Sequence, residues 1–228
     1  MKIQAVIPAA GVGTRFRSHI PKPLVLIKGK PIIWHTLKIF QENPLVDSII
    51  VVGNKKYLPS FAKVVRQNKF TKVKKIIPGG ATRRESVGRG LNALDFDTEI
   101  VAIHDAARPF VTSKLINQAI AAAKKEKAAI IAVPVKSTIK TVKHGTRIVE
   151  ETLDRNTLWE VQTPQVFKKA IIVKAHKKIK IPDPSDDALL VEKLGIKVKV
   201  VMGDYRNIKI TTKEDLILAK AILASRKN

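Results

Sequence analysis

The chain has 228 residues, 45% of them hydrophobic, with 43 Lys and Arg against 19 Asp and Glu for a formal net charge of +24 at pH 7. That length suits one large α/β domain, or a domain with a small appendage, with enough apolar residues for a sizeable core, and zero cysteines exclude disulfides and thiolate metal sites. No apolar run reaches membrane-spanning length and no charged leader precedes a long apolar stretch, so a soluble cytoplasmic protein with no membrane contact is expected.

Ile3 to Ile7 form an apolar run that reads as a buried strand, bounded by Pro8 and the glycines beyond it. The loop Pro8-Ala9-Ala10-Gly11-Val12-Gly13-Thr14-Arg15 is built from small residues that let backbone N–H groups approach an anion. It is not a Walker A loop, because no Lys-Ser or Lys-Thr follows the glycines. Nor is it a dinucleotide fingerprint: Phe16 stands where the third glycine belongs, and residues 1–41 hold no Asp or Glu. The cationic Arg15 and Lys22 stand there instead, which fits a phosphate-binding loop for a nucleoside triphosphate.

Pro31 opens a helix over 32–41, and Ser48 to Val52 form an apolar strand closed by Gly53-Asn54. A helix over 58–67, a strand over 73–77 and a loop and helix over 81–94 follow. Between Asp47 and Glu85 lie ten Lys or Arg and no acid, and between Glu160 and Asp183 six Lys and again no acid. Such a field attracts polyanions. Aromatics are only 5%, however, and no nucleic-acid-binding module is recognisable, so specific nucleic-acid binding is not expected. A strand over 100–103, a helix capped by Ser113 and a strand over 128–133 continue the alternation. This is the pattern of a mostly parallel sheet with helices on both faces.

The rhythm breaks at Pro134. From there to Glu160 the chain is polar and rich in Thr and Lys, with Lys143-His144-Gly145-Thr146 as a turn, and reads as a projecting hairpin. Helices over 168–178 and 186–194, a strand over 197–202 and a last helix opened by Thr211-x-x-Glu214 complete the chain.

In an open α/β sheet the loops at the strands' carboxyl ends share one edge. Gly11, Gly13 and Arg15 follow the first strand, Gly79 to Ser86 the third, His104 to Pro109 the fourth, and Lys136, Ser137, Thr138 and Lys140 the fifth. Glycines, basic groups and one carboxylate should therefore converge, as a metal–triphosphate site requires. Asp105, the only acid between residues 100 and 125, could bind Mg²⁺, orient a basic side chain, cap a helix or pair with Arg108. His104 beside it reads as a hydrogen-bonded core residue.

Pro8-Ala-Ala-Gly-Val-Gly-Thr-Arg15, Pro21-Lys22-Pro23, His104-Asp-Ala-Ala-Arg-Pro109, Asp154-Arg155-Asn156, Thr163-Pro-Gln165 and Asn207-Ile-Lys209 occur in this order. Together they resemble the 2-C-methyl-D-erythritol 4-phosphate cytidylyltransferase family, within the sugar-nucleotidyltransferases, across about residues 3–220. The resemblance implies a Rossmann-like α/β fold over residues 1–228, with 134–158 as a β-arm that embraces a second subunit. It implies transfer from CTP to methylerythritol 4-phosphate with release of pyrophosphate and with Mg²⁺ as cofactor. Arg15, Lys22, Arg155 and Lys209 are then the catalytic residues. Pro8, Ala9, Ala10, Gly11, Gly13, Gly80, Ala81, Arg83, Ser86, Asp105 and Ala106 bind the nucleotide. Asp105, Arg108, Thr138 and Arg155 bind the sugar phosphate, Thr138 and Arg155 reaching the partner's site, and Asp105 is the protein's candidate metal ligand.

Two positions depart from the family's pattern: Ala81 where an acid is common, and Pro23 where glutamine is common. Two other readings stand beside this one. Ribitol 5-phosphate cytidylyltransferases are similar but tend to carry a bulkier residue at the position of Ala107. An inactive, basic, nucleic-acid-binding relative would keep the scaffold and lose the chemistry.

Overall fold

Residues 1–11 and 20–225 are described by the computed structural model. The first strand, β1 (Lys2–Ala9), alternates its side chains between two apolar faces. Ile3, Ala5, Ile7 and Ala9 join one buried cluster and Val6 the other, so water reaches neither side. A short hairpin of β2 (Leu26–Ile27) and β3 (Lys30–Pro31) leads into α1 (Ile32–Glu42). Then come β4 (Ser48–Gly53), α2 (Leu58–Gln67), β5 (Val73–Pro78), α3 (Arg83–Asn92), β6 (Thr98–Ile103), α4 (Ser113–Glu126) and β7 (Ala128–Pro134). A two-stranded hairpin, β8 (Lys140–Val142) and β9 (Val149–Thr152), stands apart from the main sheet. The chain continues through β10 (Trp159–Lys168), α5 (Lys169–Lys178), α6 (Asp187–Glu192) and β11 (Lys199–Met202) to α7 (Lys213–Ser225).

The seven-stranded sheet has the order β11-β7-β10-β6-β1-β4-β5. All its pairings are parallel except those of β10, which runs antiparallel between β6 and β7. Helices α1, α2 and α4 cover one face, through Ile33, Leu37, Phe40, Phe61, Ile116 and Ile120. Helices α3, α5 and α6 cover the other, through Val87, Leu91, Ile172, Leu190 and Val191. Each such fully buried side chain contributes about 1.5–3 kcal/mol by leaving water. A third, smaller cluster joins α7 to Ile27, Ile32, Phe110 and Ile210. Among the described residues no helix is long and apolar enough to cross a membrane.

Three local expectations need correction. The strand β10 is not marked in the sequence as one. It carries Pro164 inside a strand, where a missing donor normally forbids a central position, and the register shift between Gln162 and Gln165 accommodates it. The cap of α4 is Thr112, whose side chain accepts from the Leu115 N–H, not Ser113. The capping box of α7 is Thr212 with Asp215: the Thr212 N–H donates to Asp215 Oδ2 at 2.9 Å, and the Asp215 N–H donates back to Thr212 Oγ1.

The hairpin expected after Pro134 is present. Its tip, Lys143-His144-Gly145-Thr146, closes with Gly145 at φ +76°, in the left-handed region that only glycine enters without strain. Ile148 and Val149 stand 67% and 50% exposed on it.

Candidate active site

Three loops meet at the carboxyl ends of β1, β5 and β6. The N–H groups of His104 and Ala106 donate to the carbonyls of Val6 and Pro8, so the loop after β6 stays zipped to β1 beyond the strand itself. The Gly79 N–H donates to the Gly53 carbonyl at 2.7 Å and continues the β5 pairing in the same way. Gly79 must be glycine here, because a Cβ would stand 2.4 Å from that of Ala10 and 2.7 Å from Ser86 Oγ. The Ile210 N–H donates to the Ala107 carbonyl and brings Lys209 to the same place. A cavity of about 480 Å³ lies between these loops. That size is within the usual range for a small-molecule site.

Asp105 is its charged centre. Oδ2 lies 2.7 Å from Lys209 Nζ and Oδ1 lies 3.1 Å from Arg83 Nε. Burial pushes the Asp105 carboxyl up, but the charges of Arg83 and Lys209 outweigh it and hold the group well below the usual carboxylate range. Arg83 also places Nη1 2.7 Å from Asp187 Oδ2, so one guanidinium bridges two carboxylates.

His104 sits behind this centre with none of its surface exposed. Its Nε2 is 3.0 Å from the Arg108 carbonyl, which can only accept, so Nε2 carries the proton. Nδ1 is therefore an acceptor, and it takes the Thr163 hydroxyl proton at 3.1 Å. That hydroxyl in turn accepts from the Asp105 N–H at 3.1 Å. Burial pushes the His104 pKa down to about 4, which keeps the ring neutral in this chain of bonds.

Around the base of α3 the backbone is already engaged. The Gly80 N–H donates to Ser86 Oγ at 3.1 Å and the Ala81 N–H to Glu85 Oε2 at 2.8 Å. Ser86 Oγ donates its own proton to the Thr82 carbonyl at 3.0 Å. Toward a ligand, Ser86 can then only accept.

The structure brings most of the expected residues together. Pro8, Ala9, Ala10, Gly11, Lys22, Gly80, Ala81, Arg83, Ser86, Asp105, Ala106 and Lys209 all line the cavity. Gly13 and Arg15 lie outside the described residues. Arg108 is 7% exposed and lines a smaller adjoining cavity, with two of its nitrogens donating to the carbonyls of Asn207 and Val161. Arg155 lines a separate recess at the root of the hairpin with Lys136, Trp159 and Tyr205, and Nη1 donates to the Lys136 carbonyl. Thr138 is exposed and lines neither that recess nor the cavity of its own chain. The convergence expected for the loop after β7 therefore does not occur within one chain. The antiparallel β10 sets β7 one strand further from β6, and the chain leaving β7 enters the hairpin.

Thr82 and Ala107, from the loops expected to converge, and Pro23 beside Lys22 also line the cavity, as do Asn54 and Thr211, which the sequence does not mark as site residues. Asp187 and Gln165 were missed as well. The Asp186-Asp187 pair, following an acid-poor and lysine-rich segment, was the available signal.

Electrostatically the cavity suits a polyanion with one hydrogen-bonding end. Lys22, Arg83 and Lys209 supply positive charge, and Asp105 is the only acid lining it among the described residues. No group of three His, Cys, Asp or Glu that could hold a metal occurs among the described residues.

Residues 3–225 match the family model described as 2-C-methyl-D-erythritol 4-phosphate cytidylyltransferase. The chain is 46% identical to the protein of that name from Geotalea uraniireducens over 230 residues, covering 99% of this chain and 98% of that protein. It is 45% identical to the one from Halalkalibacterium halodurans, covering 99% of each. The crystal structure of 4-diphosphocytidyl-2C-methyl-D-erythritol synthase from Anaerococcus prevotii is similar with a TM-score of 0.86 and 34% identity, over 98% of this chain and 96% of that one.

Proposed function

The chain belongs to the 2-C-methyl-D-erythritol 4-phosphate cytidylyltransferase family, and we propose how its residues share that family's reaction. The enzyme is a nucleotidyltransferase of isoprenoid biosynthesis that joins CTP to methylerythritol 4-phosphate, giving 4-diphosphocytidyl-2-C-methyl-D-erythritol and pyrophosphate. The observation that carries the assignment of roles is the cavity in which Lys22, Arg83 and Lys209 surround small residues and the single carboxylate of Asp105.

A phosphate oxygen of the acceptor attacks the α-phosphorus of CTP while the bond from that phosphorus to the pyrophosphate oxygen breaks in line. No covalent enzyme intermediate is needed, so catalysis reduces to positioning and to stabilising the charge that moves onto pyrophosphate. Arg15 and Lys22 take that charge. Lys209, held by Asp105, and Arg155 hold the acceptor phosphate, with Thr138 hydrogen-bonding to it. Ser86, whose proton is committed to the Thr82 carbonyl, accepts from the 4-amino group of cytosine, which uracil replaces by an acceptor.

Thr138 and Arg155 lie away from the cavity of their own chain, which supports their acting across a homodimer. The exposed Ile148 and Val149 of the hairpin give the apolar surface that a second copy would cover. Mg²⁺ fits the site only as an ion held mainly by the triphosphate, with Asp105 as its one nearby carboxylate and each Asp105 oxygen already facing a cation. When bound, it supplies charge neutralisation between the phosphates.

Mixing two inactive variants tests the arrangement. Arg15→Ala and Arg155→Ala should each nearly abolish pyrophosphate release. In a scrambled mixture half the dimers are mixed and each has one intact site, so about a quarter of the sites recover. No recovery would mean that each site is built from a single chain.

A further inference from the structure

We infer that Asp187 is a positioning residue of the transfer reaction: it holds Arg83, and Arg83 holds Asp105 at the wall of the cavity. The proposal rests on the reading above, in which Asp105 and Lys209 face the acceptor phosphate. Asp187 is 1% exposed and opens α6. Its Oδ2 takes Arg83 Nη1 at 2.7 Å and its Oδ1 takes His176 Nε2 at 3.1 Å, while its N–H donates to Gln165 Oε1 at 3.0 Å. Residues from β10, α5 and α6 thus fix a carboxylate 104 positions along the chain from the arginine it holds.

Two consequences follow for the cavity. Arg83 is a planar fork with Nε on Asp105 and Nη1 on Asp187, so its plane is set by two anchors and it cannot swing toward bound phosphates. Asp187 also balances the charge of Arg83. Asp105 is then left to hold Lys209 at 2.7 Å, and an unbalanced Arg83 would compete for that carboxylate and repel the lysine. The neighbouring Arg84 donates to the carbonyls of His176, Ile179 and Ile181 and clamps the segment between α5 and α6 to the same end of α3.

Asp187→Asn keeps the shape but offers one accepting oxygen where Arg83 and His176 both donate. It should lower kcat/KM for methylerythritol 4-phosphate by about 10²-fold, the scale of a small misplacement of reacting groups, and leave KM for CTP within about twofold. A loss of folded protein alone would lower kcat with either substrate varied and shift neither KM. Arg83→Gln combined with Asp187→Asn should be no worse than Arg83→Gln alone, because the aspartate acts through the arginine. His176→Phe, which removes one donor to Asp187, should cost acceptor kcat/KM in the same direction by about tenfold, and His176→Gln should restore it. Multiplying effects in the double variant, or wild-type acceptor kinetics in folded Asp187→Asn, would overturn the proposal while an impaired Asp105→Asn left the reading of the cavity standing. Wild-type kinetics of Asp105→Asn would overturn both.

Discussion

His104→Gln is the substitution through which burial, hydrogen bonding and pH can be read together. The ring has no exposed surface, packs 5.0 Å from the Phe40 ring and is held neutral between Thr163 and the Arg108 carbonyl. Burial lowers its pKa from 6.5 to about 4. Between those two values the unfolded chain binds the proton and the folded chain does not. Stability from this group is therefore complete above pH 6.5 and declines as pH falls through 4. The linkage amounts to about 2 kcal/mol at pH 5 and about 3 kcal/mol at pH 4. Asp105, whose folded pKa is also depressed, adds its own loss only as pH falls below the ordinary carboxylate value of 3.8. Glutamine removes the titration and keeps a side chain that can both donate and accept. Urea unfolding of the two proteins across pH 7 to 5 isolates His104, because the other groups titrate alike in both and cancel in the difference. That difference should move against the wild type by about 2 kcal/mol between pH 7 and pH 5. Parallel curves would refute the picture of a buried neutral imidazole supporting Asp105.

Ser86→Ala should raise KM for CTP roughly fivefold, the loss of one hydrogen bond of about 1 kcal/mol, and change UTP use less; equal losses would mean that Ser86 does not read the base. If the hairpin carries the proposed dimer contact, replacing both Ile148 and Val149 by Lys should leave the chain at the mass of a monomer in light scattering, with activity lost in parallel, whereas a dimer mass in the double variant would count against the hairpin as that contact. Asp215→Asn weakens three hydrogen bonds at the start of α7 and should cost about 1 kcal/mol, lowering Tm by about 2–4 °C; an unmoved Tm would mean that this cap contributes nothing.

The apolar runs of β1, β4, β6 and β7 are legible in the sequence because both their faces are buried, which leaves continuous Ile, Val and Ala. The segment Trp159 to Lys168 is not, because Glu160, Gln162, Gln165 and a central proline conceal a strand whose polar side chains are used by the site. Gln165 reaches Asp186 and Asp187, and Thr163 reaches His104 and Asp105. The cavity residues Pro8 to Gly11, Lys22 and Asp105 are legible from residue type and from their place in the loops around strand ends, whereas Lys209 is legible only through the family resemblance that Asn207-Ile-Lys209 helps to carry. Asp187 is not, since its significance depends on Arg83, which only the folded chain brings beside it. The lysine-rich composition gives no clue to the site; most of those lysines lie outside the cavity.

Pyrophosphate release measured with CTP or UTP against methylerythritol 4-phosphate or ribitol 5-phosphate tests the reaction itself. CTP with methylerythritol 4-phosphate should turn over fastest of the four combinations, and Arg15→Ala should nearly abolish it. Faster turnover of CTP with ribitol 5-phosphate, or salt-sensitive binding to duplex DNA with no turnover of any pair, would contradict the assignment.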